Sequence, residues 1–466
     1  MISIISKNDL NIRLVLIGRS ENLKNGKYFR QTGPYSRESL PKLVIENDID
    51  VFLISSICPE TFSYTTEEVM TMGFPVMCFD LGAPAERIRK YNRGIVLPQT
   101  NAKTVIETVT TNPILQEAFS LPFEKRKILF VVEDYTYTTR YRVYHLQEEL
   151  LFKGIPSKCI SIQDAIKAEL GGYTKVVVYR CSAIKEMKQF VDRCHEHNLT
   201  VYYDIDDFVF DFQCLQHLDF LKDEEYKGFE AYTQNVNASM NLCDGFIVST
   251  EVLKSVTADF FPNKPVLINR NRASFEMLLL SLEEISSKRR DKVVLGLFSG
   301  SNTHNRDFEM IVPVLLKKMK EHSNLGLLLG GHIQLPKDFD VFKDRIETFD
   351  FVDWKELPGL LARADINLMP LEQSVFHSCK SENKWMEAAL VSVPTIASRN
   401  EELKRIIKDG YDGMLCGDEA EWEEKLETLI VSAETRKAIA ENAHQRVIAD
   451  YTTATIEDDV YHALTD

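Results

Sequence analysis

Short apolar runs alternate with amphipathic stretches along nearly the whole chain. In the first part, Arg13–Gly18 (RLVLIG), Asp50–Ile54, Pro75–Asp80 and Gly94–Leu97 read as strands, with helices predicted over Ser36–Asn47, Thr65–Met72 and Ala83–Lys90. A second run opens with the apolar strand Lys127–Glu133, the polar loop Asp134–Arg142 and the helix Val143–Lys153, which Gly154 stops. Strands 157–162, Lys175–Arg180, Thr200–Asp204, Gly245–Thr250 and Pro265–Asn269 follow, with helices over Ile184–His197, near 215–242 and over Phe275–Arg290. A third run has strands Val293–Phe298, Leu325–Gly330, Ile346–Phe351 and Ile366–Met369, helices Glu309–His322 and Leu357–Ala364, and a helical tail from Glu419. Strands that alternate with helices predict parallel α/β layers. Three units are expected: 1–122, 123–290 and 291–466.

Length and charge narrow the function. At 466 residues the chain is long enough for about three domains. A net charge of −15 argues against a nucleic-acid binder, which needs a basic surface. Three basic runs, Lys125–Lys127, Lys288–Arg290 and Lys317–Lys320, read as solvated faces or as peripheral membrane contacts. The nine cysteines form no C-x-x-C pair, which disfavours zinc and disulfide frameworks and fits a reducing cytoplasm. MISIISKNDLNIR lacks the basic stretch and cleavage site of a signal peptide, and no run of about 18 apolar residues suits a spanning helix. The expected location is cytoplasmic, extending to the inner face of a membrane.

The densest candidate chemistry lies in Phe376–Ser398. Lys380, Lys384 and Glu387 stand at i, i+4 and i+7, one face of a predicted helix, while Trp385, Met386, Ala388, Ala389 and Leu390 supply buried faces. Two cations and a carboxylate near a helix start suit a phosphate and a hydroxyl group. The same spacing also suits a solvated charge pattern. A second copy of the pattern occupies Pro59–Asp80, where Glu60 and Glu68 stand eight apart before a Gly-Phe-Pro turn and an apolar strand. Upstream of the first stretch, Ser299–Phe308 joins a strand to a helix through Gly300, whose free amides suit phosphate, and Arg306 adds a bidentate donor. Asp204-Ile-Asp206-Asp207 offers three acids after a strand, as helix caps, an acceptor pocket or a cation site. His195 and His197 sit on a polar helix end, and no metal is assigned.

Glu60 and Glu68 resemble the E-x7-E segment of family-4 glycosyltransferases with the GT-B fold. In the later copy Cys379 stands in place of the first acid and Glu387 keeps the second. From Arg126 onward, LFSGSNTHNRDF, FVDWKELPGLLARADINLMPLE, CKSENKWMEAALVSVPTIAS, the turn Thr139–Tyr144 and the Asp204–Asp207 acids resemble a bacterial branch of that group found in surface-polysaccharide pathways. The resemblance implies two Rossmann-like lobes with a donor cleft between them, preceded by a partial third such domain. It implies a nucleotide-diphosphate sugar as donor substrate, no separate cofactor, a glycan or lipid-linked acceptor, and retention of configuration. Arg306 and Lys380 would hold the diphosphate, with the turn Gly300, Ser301 and Asn302. Glu387 would take the ribose hydroxyls, Asp353 and Trp354 the base, and Gly331 and His332 the back of the cleft. Glu372 or Ser381 would replace the missing acid. Arg140 and Arg142 would face the cleft from the acceptor lobe, and Asp134, Asp204 and Asp206 are the candidate bases. Residues 1–122 are expected to be a donor-lobe remnant packed on the second unit or on a partner or second copy. The rival expectation is a non-catalytic glycosyltransferase-like scaffold.

Overall fold

A computed structural model describes the chain except residues 37–38, 60–62, 72–73, 92, 114, 116–126, 154, 156, 216–222, 286–291, 301–304, 456 and 466. Glu60, Ser301, Asn302, His304, Lys125, Arg126 and the run Lys288–Arg290 lie outside the described residues, as do the expected boundaries near 122 and 290.

The strands in chain order are β1 (Leu14–Leu16), β2 (Phe29–Gln31), β3 (Phe52–Ile54), β4 (Val76–Phe79), β5 (Gly94–Leu97), β6 (Lys127–Val132), β7 (Ser157–Ser161), β8 (Tyr173–Tyr179) and β9 (Thr200–Ile205). They continue with β10 (Gly245–Val248), β11 (Val266–Ile268), β12 (Val293–Ser299), β13 (Leu325–Gly331), β14 (Ile346–Phe349), β15 (Ile366–Met369), β16 (Thr395–Ser398) and β17 (Met414–Cys416). Two sheets have six parallel strands each, in the orders β11-β10-β9-β8-β6-β7 and β14-β13-β12-β15-β16-β17. Helices cover both faces, so the central strands are apolar without alternation. Ile128–Val132 and Val176–Val178 are wholly buried. The first unit has a two-stranded sheet, β1-β2, and a three-stranded one, β3-β4-β5, both parallel.

The two large lobes are stitched by exchanged elements. Phe376 and Cys379, from the second lobe, sit in the core of the first. Tyr141, from the first, sits with Trp385, Met386 and Ala389 of the second. The chain's last helix, Asp458–Thr465, returns to the first lobe, where Val460 and Leu464 pack beneath β6 and β8. At the crossing, Arg272 lies 2.9 Å from Glu457 and 3.6 Å from Glu149. The first unit meets the second as expected: Leu151 packs into its core cluster, and Val44 and Ile49 share a small cavity with Gln147 and Ile155.

The predicted helix Glu309–His322 is two helices, Asn305–Glu309 and Val312–Glu321. Pro313, in the first turn of the second, has no N–H to continue the first. Helices Ile2–Lys7, Ala102–Thr111 and Glu251–Phe260 and the three-residue strands β2 and β17 escaped prediction. Those strands are too short to show a period.

Several buried acids stand at the lobe junction. Burial pushes Glu148, Glu149 and Glu382 each up to about 7, with nearby Arg272 and Arg270 pulling Glu149 and Glu382 back down. Among the described residues neither carboxylate oxygen of Glu382 has a hydrogen-bond partner in another residue, and Arg270 Nη1 stands 3.7 Å away. Because these folded values lie above those of an unfolded chain, the folded state binds more protons between about pH 4.5 and 7. Stability is therefore expected to fall as pH rises through that window. Urea midpoints at pH 5 and pH 8 check this, and Glu382→Gln should reduce the difference between them.

Candidate functional site

In an open parallel sheet, ligands bind beyond the strand C-termini where the strand order reverses. The second lobe reverses between β12 and β15. β12 ends at Ser299 and Gly300, and β15 runs into Pro370, Leu371 and Glu372. Gly331 closes β13 beside it at φ +85°, where an added Cβ would fall 1.9 Å from the Ser299 carbonyl oxygen. Only glycine lets the two strand ends meet here. Among the described residues a Cβ on Gly300 would come near Phe351 alone, at 3.8 Å.

Arg306 is half-exposed, with Nε 3.5 Å from the Glu372 carboxylate. Asp307 beside it is buried and accepts from the Glu372 amide at 2.7 Å. His377 Nε2 stands 3.4 Å from Asp307, and its Nδ1 is 2.7 Å from the Ser374 hydroxyl. Burial holds His377 below its usual pKa. Asp307, Glu372 and His377 bring three ligand-type atoms within 4.8 Å of one another. Arg306, Lys380 and Lys384 lie around them, and that positive field opposes a divalent ion. A second set, Glu321, His322 and Glu427, is crossed by Lys318, whose Nζ is 2.8 Å from Glu427.

Lys380 does not share a helix with Lys384 and Glu387, contrary to the predicted face. One short helix, Val375–Ser378, ends before it, and the next spans Asn383–Leu390. The break is held from the other lobe: the Thr250 hydroxyl donates to the Cys379 carbonyl at 3.0 Å. Cys379, at the place of the missing acid, is wholly buried. Lys380 Nζ lies 3.3 Å from Asp207 of the first lobe and 4.5 Å from the Phe376 ring centre. The Ser381 hydroxyl accepts from Asn271 at 3.1 Å, again across the lobes.

Lys384 and Glu387 are one turn apart on the helix Asn383–Leu390. Burial pulls Lys384 down to about 8; Asp307 opposes the shift and Lys380 adds to it. Among the described residues its ammonium has no recorded hydrogen bond or ion pair. Burial raises Glu387 above its usual value. Its carboxylate accepts from the Tyr141 hydroxyl and lies 3.7 Å from Arg140. Arg140 is sandwiched between the rings of Tyr141 and Trp354, 4.5 and 4.3 Å from their centres. Asp353 is exposed and accepts from the Lys355 amide of its own turn at 3.0 Å. His332 stacks on Phe351 at 5.9 Å, and Tyr137 of the first lobe meets Phe351 edge-on at 5.1 Å.

On the first lobe the order reverses between β6 and β8. Asp134 is exposed just beyond β6. The loop expected to end at Arg142 instead closes in a π-helical turn, Arg140–Tyr144. That turn sends Arg140 and Tyr141 toward the second lobe and Arg142 into the first. Arg142 and Asp204 do not face the cleft: both are wholly buried, in a two-pronged pair at 2.8 and 2.9 Å. The remaining Nη1 of Arg142 donates to the Asn269 carbonyl at 2.5 Å and to Asn271 Oδ1 at 3.0 Å, so its guanidinium is engaged within the core rather than turned to substrate. Burial lifts Asp204 to about 6, while Arg142 draws it back. Asp206 accepts from the Tyr179 hydroxyl at 3.1 Å and faces Arg180 at 3.4 Å. Asp207 lies 3.3 Å from Arg180. The acids of the Asp204–Asp207 stretch thus meet arginine or lysine.

Sequence reasoning read Lys380 and Lys384 together as two phosphate cations on one helix face, while the resemblance assigned the diphosphate to Arg306 and Lys380. Tyr141, Asp307 and His377 were missed. Their neighbours Arg140, Arg306 and Phe376 had been singled out, but no spacing ties these three to the cleft.

Residues 313–459 match the family model described as "Glycosyl transferase-like", and residues 1–111 match "Glycosyl transferases group 1". No curated protein matches the chain in sequence. Among solved structures, Anabaena HepE in complex with UDP is similar at 13% identity and a TM-score of 0.51, over 72% of this chain and 99% of that one. Sucrose-phosphate synthase from Thermosynechococcus elongatus is similar at 12% identity and a TM-score of 0.49, over 73% of this chain and 96% of that one. The likeness to the first bears out the two-lobed GT-B fold.

The buried Arg142–Asp204 pair makes a structural prediction. Arg142→Met should cost about 3–5 kcal/mol by leaving Asp204 buried without its partner. The double variant Arg142→Met/Asp204→Leu should recover much of that loss. Urea unfolding of the two variants against the parent checks it.

Proposed function

We propose that the chain is a glycosyltransferase that moves a sugar from a nucleoside-diphosphate sugar to a hydroxyl of a glycan or lipid-linked acceptor. The observation that carries this reading is the pair Lys384 and Glu387, on one helix at the reversal point of a GT-B second lobe, with Arg306 and Lys380 nearby. The two family matches and the UDP held by the similar HepE structure support it.

In this reading the diphosphate lies against Gly300, Arg306 and Lys384. As the glycosidic bond breaks, negative charge grows on the leaving diphosphate. Preplaced cations and backbone amides stabilise that charge with no rearrangement at the moment of reaction. Closure between two lobes keeps water from the donor. Glu387 takes the ribose hydroxyls once Tyr141 yields, Trp354 and Phe351 border the base, and His332 backs the cleft. Asp134, exposed beyond β6, is the acceptor-side base, and Arg140 and Asp206 line that side. Retention of configuration, a role in bacterial surface polysaccharide synthesis and a cytoplasmic place at the membrane face complete the proposal.

Two observations favour the scaffold reading: Glu387 is already engaged by Tyr141 and Arg140, and Cys379 is buried where the first acid would stand. A transfer and donor-hydrolysis assay over a panel of nucleotide sugars decides between them. Tight nucleotide binding with neither transfer nor hydrolysis would leave the scaffold.

Lys384→Ala is expected to weaken binding of a nucleoside diphosphate such as UDP by roughly 10- to 100-fold, the range for a lost charge-assisted contact. Calorimetry reads this directly, and unchanged affinity in a folded variant sinks the assignment. Lys384 is cationic below about pH 8 and neutral above it. UDP affinity should therefore hold below that pH and fall as pH rises through it, and Lys384→Ala should remove the dependence. Activity is expected to survive chelation with EDTA. Loss of activity with return on manganese would instead assign a metal role to Asp307, Glu372 and His377 or to Asp206 and Asp207.

A further inference from the structure

We propose that Tyr141 is a specificity-determining residue whose hydroxyl stands in for one hydroxyl of the donor's ribose, so that the site takes ribonucleoside and 2′-deoxyribonucleoside diphosphate sugars with nearly equal affinity. The inference rests on the donor reading of Glu387 and deepens it.

The two oxygens of Glu387 differ in their surroundings. Oε1 accepts from the Tyr141 hydroxyl, the one hydrogen bond recorded to this carboxylate among the described residues. Arg140 Nη2 stands 3.7 Å from the same oxygen, beyond hydrogen-bond reach. Stacking between the rings of Tyr141 and Trp354 keeps its guanidinium there. Oε2 accepts no recorded hydrogen bond among the described residues, and it is not one of the orphan atoms sealed from solvent. The side chain is 16% exposed. One oxygen of the carboxylate is therefore occupied and the other is open.

The fold holds the phenol in that place. Tyr141 comes from the first lobe, is buried, and packs with Trp385, Met386 and Ala389 of the second. The His145 ring meets it edge-on at 5.0 Å. Burial, and the Glu387 carboxylate beside it, hold the phenol well above its usual pKa, so the hydroxyl keeps its proton and donates it to the carboxylate. A buried carboxylate oxygen without a donor carries the full cost of its lost water. The tyrosine removes that cost while no ligand is bound.

The consequence for the ligand is an exchange. A ribose presents two neighbouring hydroxyls, and seating both on one carboxylate takes both oxygens. One reaches Oε2 freely. The other reaches Oε1 by displacing Tyr141, and the bond it forms replaces a bond of the same kind, a neutral O–H on a charged acceptor. A 2′-deoxyribose offers one hydroxyl at this edge, which uses Oε2 and leaves Tyr141 in place. The second hydroxyl therefore adds little, and the two nucleotide classes bind alike. Without the tyrosine hydroxyl the second bond becomes a net gain of about tenfold in affinity or more, the range for a hydrogen bond to a charged group.

The test is calorimetry of UDP, 2′-deoxy-UDP and pyrophosphate with the full chain and with Tyr141→Phe, which keeps the ring in its apolar cluster. The parent is expected to bind UDP and 2′-deoxy-UDP within about threefold of each other. Tyr141→Phe should tighten UDP roughly tenfold and leave 2′-deoxy-UDP and pyrophosphate within about twofold of the parent. A merely structural role would not strengthen one ligand and spare the other two. A parent preference for UDP over 2′-deoxy-UDP of about tenfold or more overturns the inference, and that measurement needs no variant should Tyr141→Phe fail to fold. So does a folded Tyr141→Phe that leaves UDP affinity unchanged or weakens all three ligands. If UDP does not bind the parent, or binds with no loss in Lys384→Ala, the donor reading falls and this inference with it. If Lys384→Ala weakens UDP and Tyr141→Phe does not tighten it, this inference alone falls.

Discussion

Three consecutive side chains on one π-helical turn join the two large lobes, and the cleft depends on that joint. Arg142 forks onto buried Asp204 and anchors the turn in the first lobe. Tyr141 enters the apolar cluster of the second lobe and places its hydroxyl on Glu387. Arg140 lies between them, stacked on Trp354. A regular helix would space neighbouring side chains by about 100° and could not aim three in a row at these targets without the wider turn. Cys379 and Phe376, reaching back into the first lobe, complete the exchange. Lobes stitched in this way share part of their core, so their relative placement belongs to the fold itself.

Burial at the same junction sets the electrostatics. The chain is acidic overall, yet Arg306, Lys380 and Lys384 gather on one rim of the cleft. Removal from water disfavours charge of either sign, and so Lys384 moves down while Glu387 moves up. On the proposed reading an arriving diphosphate restores the charged state of Lys384, because a nearby anion favours the ammonium. Binding and proton uptake are then linked. The Tyr141–Glu387 contact works against this, since ribose hydroxyls must displace the tyrosine before they can use the carboxylate. Donor binding and a small adjustment of the joint therefore go together.

The first unit is built differently from the second lobe. Among the described residues its strands form two separate parallel sheets, β1-β2 and β3-β4-β5. In the second lobe β12 pairs with both β13 and β15 and leads into Gly300. Val44 and Ile49 meet Ile155 of the first lobe around a shared small cavity.

Periodicity and local chemistry determined much of this protein from the sequence alone. Continuous apolar runs set the parallel strands, because strands covered on both faces need no alternation. Ile366–Met369 and Gly94–Leu97 were legible to the residue for that reason. The repeated carboxylate–turn–proline–strand pattern revealed two related units, since it depends only on neighbours in sequence. Arg306 and Glu387 were legible as candidates because each lies next to a strand-to-helix switch. What the sequence left open depended on partners far along the chain. Arg142 and Asp204 are 62 residues apart, and only their meeting in the core turns two apparent surface charges into a buried pair. Lys380 left the predicted helix because a threonine 129 residues away from Cys379 takes the carbonyl there. Lys384 differs from an ordinary surface lysine only through desolvation, which the folded lobes alone create.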